Sequence, residues 1–343
     1  MYFVTDYSEM KRMASSSADV LFSIVVPIYN SWGAIDSLIE SLLNQSFKGF
    51  ELVLVDDGST ESPDRITRIS ELDSFQIIYM GENSGPFYAR REGVYHARGK
   101  YIVFLDSDDH LSLDYLLCLR RALAKDSADV IISSVREVGG DFYQSAFSKA
   151  YSLFLPVRPF GRPVSYKRAL RIPSYLGTPG KSYRRDFLIE MFRKYEHQYC
   201  KFDLRYAEDV YLFYLCCMNT SYFLHVPKSE YYYIRNASSL TAALKDNDIA
   251  KKKRYHQDVI DLIRASRASS AVHSLIVARK ISTFFENQVI VDSILLERWL
   301  ATKKRDNVYF SSLWRVFIAR RGFRDFLRFL GGSILYLVTG EIH

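Results

Sequence analysis

Three aspartates in four positions, Asp106, Asp108 and Asp109, follow the apolar run Tyr101 to Leu105 in the stretch YIVFLDSDDH. Like charges this close raise one another's pKa unless a cation lies among them. Two carboxylates spaced D-x-D at a strand end direct oxygens toward one point. That suits a hard divalent cation, Mg²⁺ or Mn²⁺, which takes one or two carboxylates and completes its shell with waters and substrate phosphates. Such a cation also neutralises a departing diphosphate as a Lewis acid. Asp109 is equally suited to cap a helix beginning near Ser112. A second acidic pair, Glu208-Asp209, opens a strongly apolar helix in FDLRYAEDVYLFYLC, where acids also complement the helix dipole.

These groups need a frame, and the first half supplies one by alternating short β-branched runs with amphipathic runs, the pattern of βαβ units and a mainly parallel sheet. Strands are expected at Phe22–Ile28, Glu51–Val55, Phe75–Met80, Tyr101–Leu105 and Asp129–Val135. Helices are expected at Ala34–Leu43, Arg65–Glu71, Pro86–Ala97 and Leu113–Lys125, with a further helical run at Lys181–Tyr195. In such sheets the ligand site lies beyond the carboxyl ends of the strands. Those ends carry Tyr29-Asn30, Asp56-Asp57-Gly58-Ser59 and Asp106-Ser107-Asp108-Asp109. Turn formation explains any one of these clusters; three on one edge point to a pocket.

No G-x-x-x-x-G-K-[ST] loop and no G-x-G-x-x-G after a strand occur, which argues against a P-loop NTPase and a dinucleotide dehydrogenase. A diphosphate is then gripped by metal and basic side chains. His96, His110 and His225 fall in no zinc-ligand spacing.

At 343 residues, 48% apolar and 15% aromatic, the chain can bury a large core. Four cysteines without C-x-x-C spacing fit a reducing cytosol better than a disulfide framework. The first twenty residues lack the apolar run of a secretory signal, and no stretch of eighteen apolar residues occurs, so a soluble or peripheral protein is expected. The net charge of +7 is uneven: residues 251–343 hold seventeen Lys/Arg against eight Asp/Glu, +9, which leaves −2 for the first 250. Within Phe323 to Leu330, Phe323, Phe326, Leu327 and Leu330 share one helical face, with Arg324 and Arg328 on another. Basic, aromatic helices of this kind lie on anionic membranes, so a membrane surface is the expected partner of the tail and nucleic acid is not, the alternative being a helical hairpin packed on the catalytic domain or a second subunit.

The ordered set SIVVPIYN, ELVLVDDGST, NSGPFYARREG, GKYIVFLDSDD, AEDV and YYYIRNASSLT resembles the inverting, nucleotide-sugar-dependent glycosyltransferases of family 2 over about residues 22–245. The resemblance implies an α/β GT-A fold, a Rossmann-like mixed, mainly parallel sheet with flanking helices, here with a C-terminal helical extension. It implies that Pro27, Tyr29, Asp56 and Asp57 meet the nucleotide and that Arg90 approaches the diphosphate. It places Asp106 and Ser107 beside the donor and makes Asp108, with Asp106, the ligand of Mg²⁺ or Mn²⁺. Asp209 matches the catalytic base with Glu208 beside it, Arg235, Ser238 and Thr241 match a loop closing over the diphosphate, and Lys181 matches an acceptor-side position. Arg91 stands where the family usually has Asn, so which arginine faces the phosphates stays open.

The resemblance divides the chain into an extension (1–20), a nucleotide-sugar half (21–138), an acceptor and base half (139–245) and a helical region with a basic tail (246–343). It implies transfer from a nucleotide-diphospho-sugar, UDP-linked by preference, to a glycan or lipid-linked glycan at the cytoplasmic face of the plasma membrane, in surface-polysaccharide synthesis. Two alternatives are a sugar nucleotidyltransferase and an inactive glycan-binding or scaffold module. The first needs a Gly-rich basic loop where PIYNSWGAID stands, and the second is marked by lost carboxylates, yet Asp106, Asp108, Glu208 and Asp209 are all present.

Overall fold

A computed structural model of the chain describes residues 20–63, 66–139, 177–220, 222–234 and 246–266, together with Ser282 and Glu286. The elements run β1 (Phe22–Ile28), α1 (Ile35–Leu43), β2 (Phe50–Asp56), β3 (Phe75–Tyr79), α2 (Pro86–His96), β4 (Tyr101–Phe104), β5 (His110–Leu111), α3 (Tyr115–Leu123) and β6 (Val130–Val138). After residue 176 come β7 (Lys181–Arg184), α4 (Arg185–Tyr199), α5 (Glu208–Asn219), β8 (Phe223–Ile234) and α6 (Asp246–Ser266).

The eight strands form one sheet in the order β3-β2-β1-β4-β7-β6-β8-β5. The β3-β2-β1-β4 block is parallel, β6 pairs β8 in parallel, and β7 runs antiparallel to both β4 and β6. Period-two side chains explain the layers. Ile24, Val26, Leu52, Leu54 and Val103 pack beneath α1 and α3, whereas Val25, Val53, Val55, Ile102 and Phe104 pack beneath α2, α4, α5 and α6. Central strands buried on both faces read as continuous apolar runs, which is why they are legible in the sequence.

Two expectations are corrected, and one strand was not foreseen. The run from Lys181 begins as a strand, since Lys181, Ser182 and Tyr183 complete ladders to β4 and β6, and the helix starts at Arg185. Pairing on both sides overrides the helical pattern. In place of a helix at Arg65–Glu71, the described part of that segment holds only a 3-10 turn at Ile69–Glu71, a span too short for cooperative α-helix. Strand β8 went unexpected because Pro227 interrupts it; the proline sits where the register with β6 slips between Ser133 and Ser134, and such a bulge tolerates a missing N–H. Helix α6 is the first of the charged helices expected from residue 246. Residues 1–19, 140–176, 235–245 and the tail 307–343 lie outside the described residues.

Candidate active site

Because β1, β2 and β4 are parallel neighbours, the loops after them leave one edge of the sheet together. Pro27 occupies β1 beyond Val25, where the β4 register ends. Tyr29 is 48% exposed at that edge. Asn30, with a left-handed φ of 49°, accepts from the Thr60 N–H at 2.9 Å, and its own N–H donates to Ser59 Oγ at 2.9 Å. Asp56 Oδ1 accepts from the Ser59 N–H at 3.0 Å. The first two loops therefore brace each other.

Asp57 is buried and faces the entry to α2. Its Oδ1 accepts from the Ser84 N–H at 2.7 Å and its Oδ2 from the Gly85 N–H at 2.8 Å. Burial pushes its carboxyl up, and the two N–H groups draw it back down. Gly85 has φ 96°, a conformation that a Cβ strains, and from it the helix starts with Pro86. Both oxygens of Asp57 thus fix the turn that launches Arg90.

The carboxylate loop after β4 divides by environment. Asp106 Oδ1 accepts from Arg90 Nη2 at 2.8 Å, with its side chain 30% exposed. Ser107 and Asp108 are half-buried. Asp109 is fully buried, accepting from the Tyr231 hydroxyl at 2.6 Å and the Ile234 N–H at 2.8 Å. Burial, with the charges of Asp106 and Asp108, pushes its carboxyl up to about 8. The Tyr231 hydroxyl in turn accepts from the Asp106 N–H at 3.2 Å. Asp109 is therefore a brace between this loop and the end of β8, and it caps no helix; α3 begins at Tyr115, preceded by Asp114.

Arg90 joins this loop to the second acidic pair. Almost wholly buried, it donates from Nη1 to Glu208 Oε1 at 2.9 Å and from Nη2 to Asp106 Oδ1 at 2.8 Å. Burial opposes its charge, yet the carboxylates hold the guanidinium firmly protonated. Arg91 points elsewhere: it lies over the rings of Tyr88 and Tyr95 and pairs with Glu92 at 2.8 Å. Of the two arginines, Arg90 is the one directed at the acidic cluster.

Helix α5 presents Glu208 and Asp209 in its first turn, entered through Ala207 at a left-handed φ of 57°. Glu208 is buried, and burial together with its neighbour Asp209 pushes its carboxyl up. Asp209 is half-buried; burial pushes its carboxyl up as well, and Arg90 and Lys181 draw it down.

Lys181, expected to line the acceptor side, lies inside the fold. It has no exposed surface, so it cannot touch an acceptor as folded. Its Nζ donates to the Gly177 carbonyl and lies 4.6 Å from the centre of the Phe213 ring, and burial pushes the ammonium down to about 7. Arg235, Ser238 and Thr241 lie outside the described residues.

Three contributors escaped sequence reading. Tyr231 sits in an aromatic run indistinguishable from core, and Ala207 gives no sign of its backbone. Arg205 reaches back to Asn83, donating to its Oδ1 at 2.6 Å and its carbonyl at 2.7 Å, and so clamps the turn before α2. Among the described residues no group of three His, Cys, Asp or Glu side chains converges as a self-sufficient metal site.

The family model described as "Glycosyl transferase family 2" matches residues 23–192. "Glycosyltransferase GlyA" of Streptococcus pneumoniae serotype 4 is 31% identical over 137 residues, 39% of this chain and 20% of that protein. "Putative teichuronic acid biosynthesis glycosyltransferase TuaG" of Bacillus subtilis is 37% identical over 98 residues, 28% of this chain and 39% of that protein. The chain thus spans less than half the length of these curated relatives. Among solved structures, S. aureus TarS 1-349 in complex with UDP-GlcNAc aligns with a TM-score of 0.61 at 20% identity, covering 87% of this chain and 80% of that one. The mannosyltransferase PcManGT from Pyrobaculum calidifontis, in complex with GDP-Man and Mn²⁺, aligns at 0.52 and 15% identity, covering 92% and 80%.

Proposed function

Since the chain belongs to glycosyl transferase family 2 through residues 23–192 and has the GT-A fold, we propose that it moves a sugar from a nucleotide-diphospho-sugar, UDP-linked by preference, to a hydroxyl of a glycan or lipid-linked glycan with inversion. The observation that carries this reading is the Arg90 bridge, which gathers Asp106 and Glu208, and Asp209 with it, at one edge of the sheet.

Glu208 is held by Arg90, which leaves Asp209 to accept the acceptor proton. The acceptor oxygen attacks the anomeric carbon from the face opposite the diphosphate. The carbon–oxygen bond to the diphosphate breaks with its electron pair, and the proton passes to Asp209. Such a base contributes about 10²–10⁴-fold. Arg90 draws the Asp209 carboxyl down against the larger upward push of burial, and it fixes Asp106.

Two hard carboxylates, Asp106 and Asp108, with one Asp106 oxygen already bonded to Arg90, fit Mg²⁺ or Mn²⁺ shared with substrate phosphates. When bound, the cation neutralises the leaving diphosphate. Support comes from the neighbours, since TarS was solved with UDP-GlcNAc and PcManGT with GDP-Man and Mn²⁺. The teichuronic acid name of one relative supports an acceptor in surface-polysaccharide synthesis.

The test is nucleoside diphosphate release from UDP-GlcNAc, UDP-glucose, UDP-galactose and GDP-mannose, with a lipid-linked acceptor extract, with and without chelator. Release from one donor, abolished by chelator and by Asp108→Asn or Asp209→Asn, is expected, with UDP binding retained in Asp209→Asn. Release from none sinks the reading, and wild-type turnover in Asp209→Asn removes the base assignment.

The basic tail 307–343 is the proposed anchor to the cytoplasmic face of the membrane, with about 1 kcal/mol from each Lys or Arg at an anionic surface. No helix among the described residues is long and apolar enough to cross a membrane. Equal binding of the full chain and a truncation near residue 306 to anionic liposomes counts against this anchor.

A further inference from the structure

Lys181 is wholly buried, whereas no other lysine among the described residues is buried. An ammonium that served packing alone would be dearly desolvated where a Met fits as well. Its surroundings give it a task. Gly177, whose carbonyl accepts from Lys181 Nζ, lies against the candidate base: a Cβ added there would stand 2.0 Å from Asp209 Oδ2 and 2.9 Å from its Cγ. Phe213, the ring beneath the ammonium, follows Asp209 by four residues on α5 and shares its helix face.

The turn between them is tight. The Lys181 N–H donates to the Thr178 carbonyl at 3.1 Å, and the Ser133 N–H donates to the Gly180 carbonyl at 2.7 Å, which ties the turn to β6. Asp209 thus meets glycine backbone on one side, with a cation anchored on that backbone. The other charged groups around it are Glu208 on its own helix, Arg90 from α2 and Asp106 from the loop after β4, and Cys216 and Cys217 of α5 lie near Lys181.

We propose that Lys181 is a positioning residue for Asp209: anchored on the Gly177 carbonyl, it holds the glycine turn against the carboxylate and, when protonated, places positive charge behind it. The inference rests on the reading of Asp209 as base.

Two measurements on the full chain separate the inference from the reading beneath it. In protein labelled with ¹³C at lysine Cε, the Lys181 resonance, assigned by its loss in Lys181→Arg or Lys181→Met, is titrated in wild type and in Asp209→Asn. Its midpoint is expected to fall by about one pH unit when the carboxylate is removed. An unmoved midpoint overturns the inference, and because no substrate is involved the result stands whether or not sugar is transferred.

In nucleoside diphosphate release from the donor that wild type turns over, Lys181→Met is expected to lose at least about tenfold in kcat with the donor KM little changed. The acid limb of its kcat/KM profile moves to higher pH, because Asp209 ionises less readily without the cation. Lys181→Arg restores part of the rate. A rate loss with an unshifted acid limb marks Lys181 as merely structural and overturns the proposal. Wild-type release in Asp209→Asn overturns the base assignment instead and leaves the titration result intact.

Discussion

Arg90 holds carboxylates from two motifs, its partner Glu208 standing 118 residues further along the chain. Removing one partner of a buried ion pair leaves the other charge stranded, typically at about 3–5 kcal/mol. Arg90→Met is therefore expected to lose about 3 kcal/mol in urea unfolding, with the cost falling on buried Glu208 more than on the partly exposed Asp106. A wild-type midpoint in that variant would show that the bridge supports nothing. Lys181 makes a prediction that depends on pH. Its folded pKa lies near 7, below the usual 10.5, so the unfolded chain binds more protons between those values and stability rises with pH across that window. The gain is complete above the unfolded value and lost as pH falls through 7, with a slope of at most about 1.4 kcal/mol per pH unit. Lys181→Met should lack this rise when chemical denaturation is followed from pH 7 to 10. Asp106, Asp108 and Asp209 stand out in the sequence by type and spacing, and the fold brings Asp106 and Glu208 together on Arg90. The burial of Lys181 was not legible, since a lysine beside Gly180 at the start of a run looks the same in water or beneath a helix.

Among the elements, α2 and α5 aim the site by unusual entries. Ala207 holds a left-handed conformation that costs an L-residue roughly 1–2 kcal/mol relative to glycine's freedom. Ala207→Gly is expected to be neutral or to stabilise by up to about 1 kcal/mol after the added unfolded-state entropy, whereas Ala207→Val destabilises; thermal unfolding of both variants decides it. If the glycine variant is the less stable, the left-handed entry is not what sets the register of Glu208 and Asp209. Central strands could be read from their apolar runs, Val25 to Val55 being covered on both faces. Strand β7 could not, because K-S-Y-R has no strand character of its own and is recruited by neighbours that only the fold supplies.

For the whole molecule, a single sheet takes strands from both of the halves that the motifs suggest. The β4 and β6 strands share no ladder; β7 bonds to each. Ser182→Pro should therefore cost about 3 kcal/mol or more and raise amide exchange in β4 and β6 together. Raised exchange on one side alone would mean that β7 is not the joint. This joint also bears on biosynthesis. Emerging from a ribosome, the first four strands find their partners in the order they are made, but β6 has both of its partners, β7 and β8, still to come. Its apolar residues Val130 to Ile132 then stay without a ladder until residue 181 appears. The nascent chain thus carries two unpaired strands, the two-residue β5 and the longer β6, through that interval, the stage at which a chaperone would have most to shield.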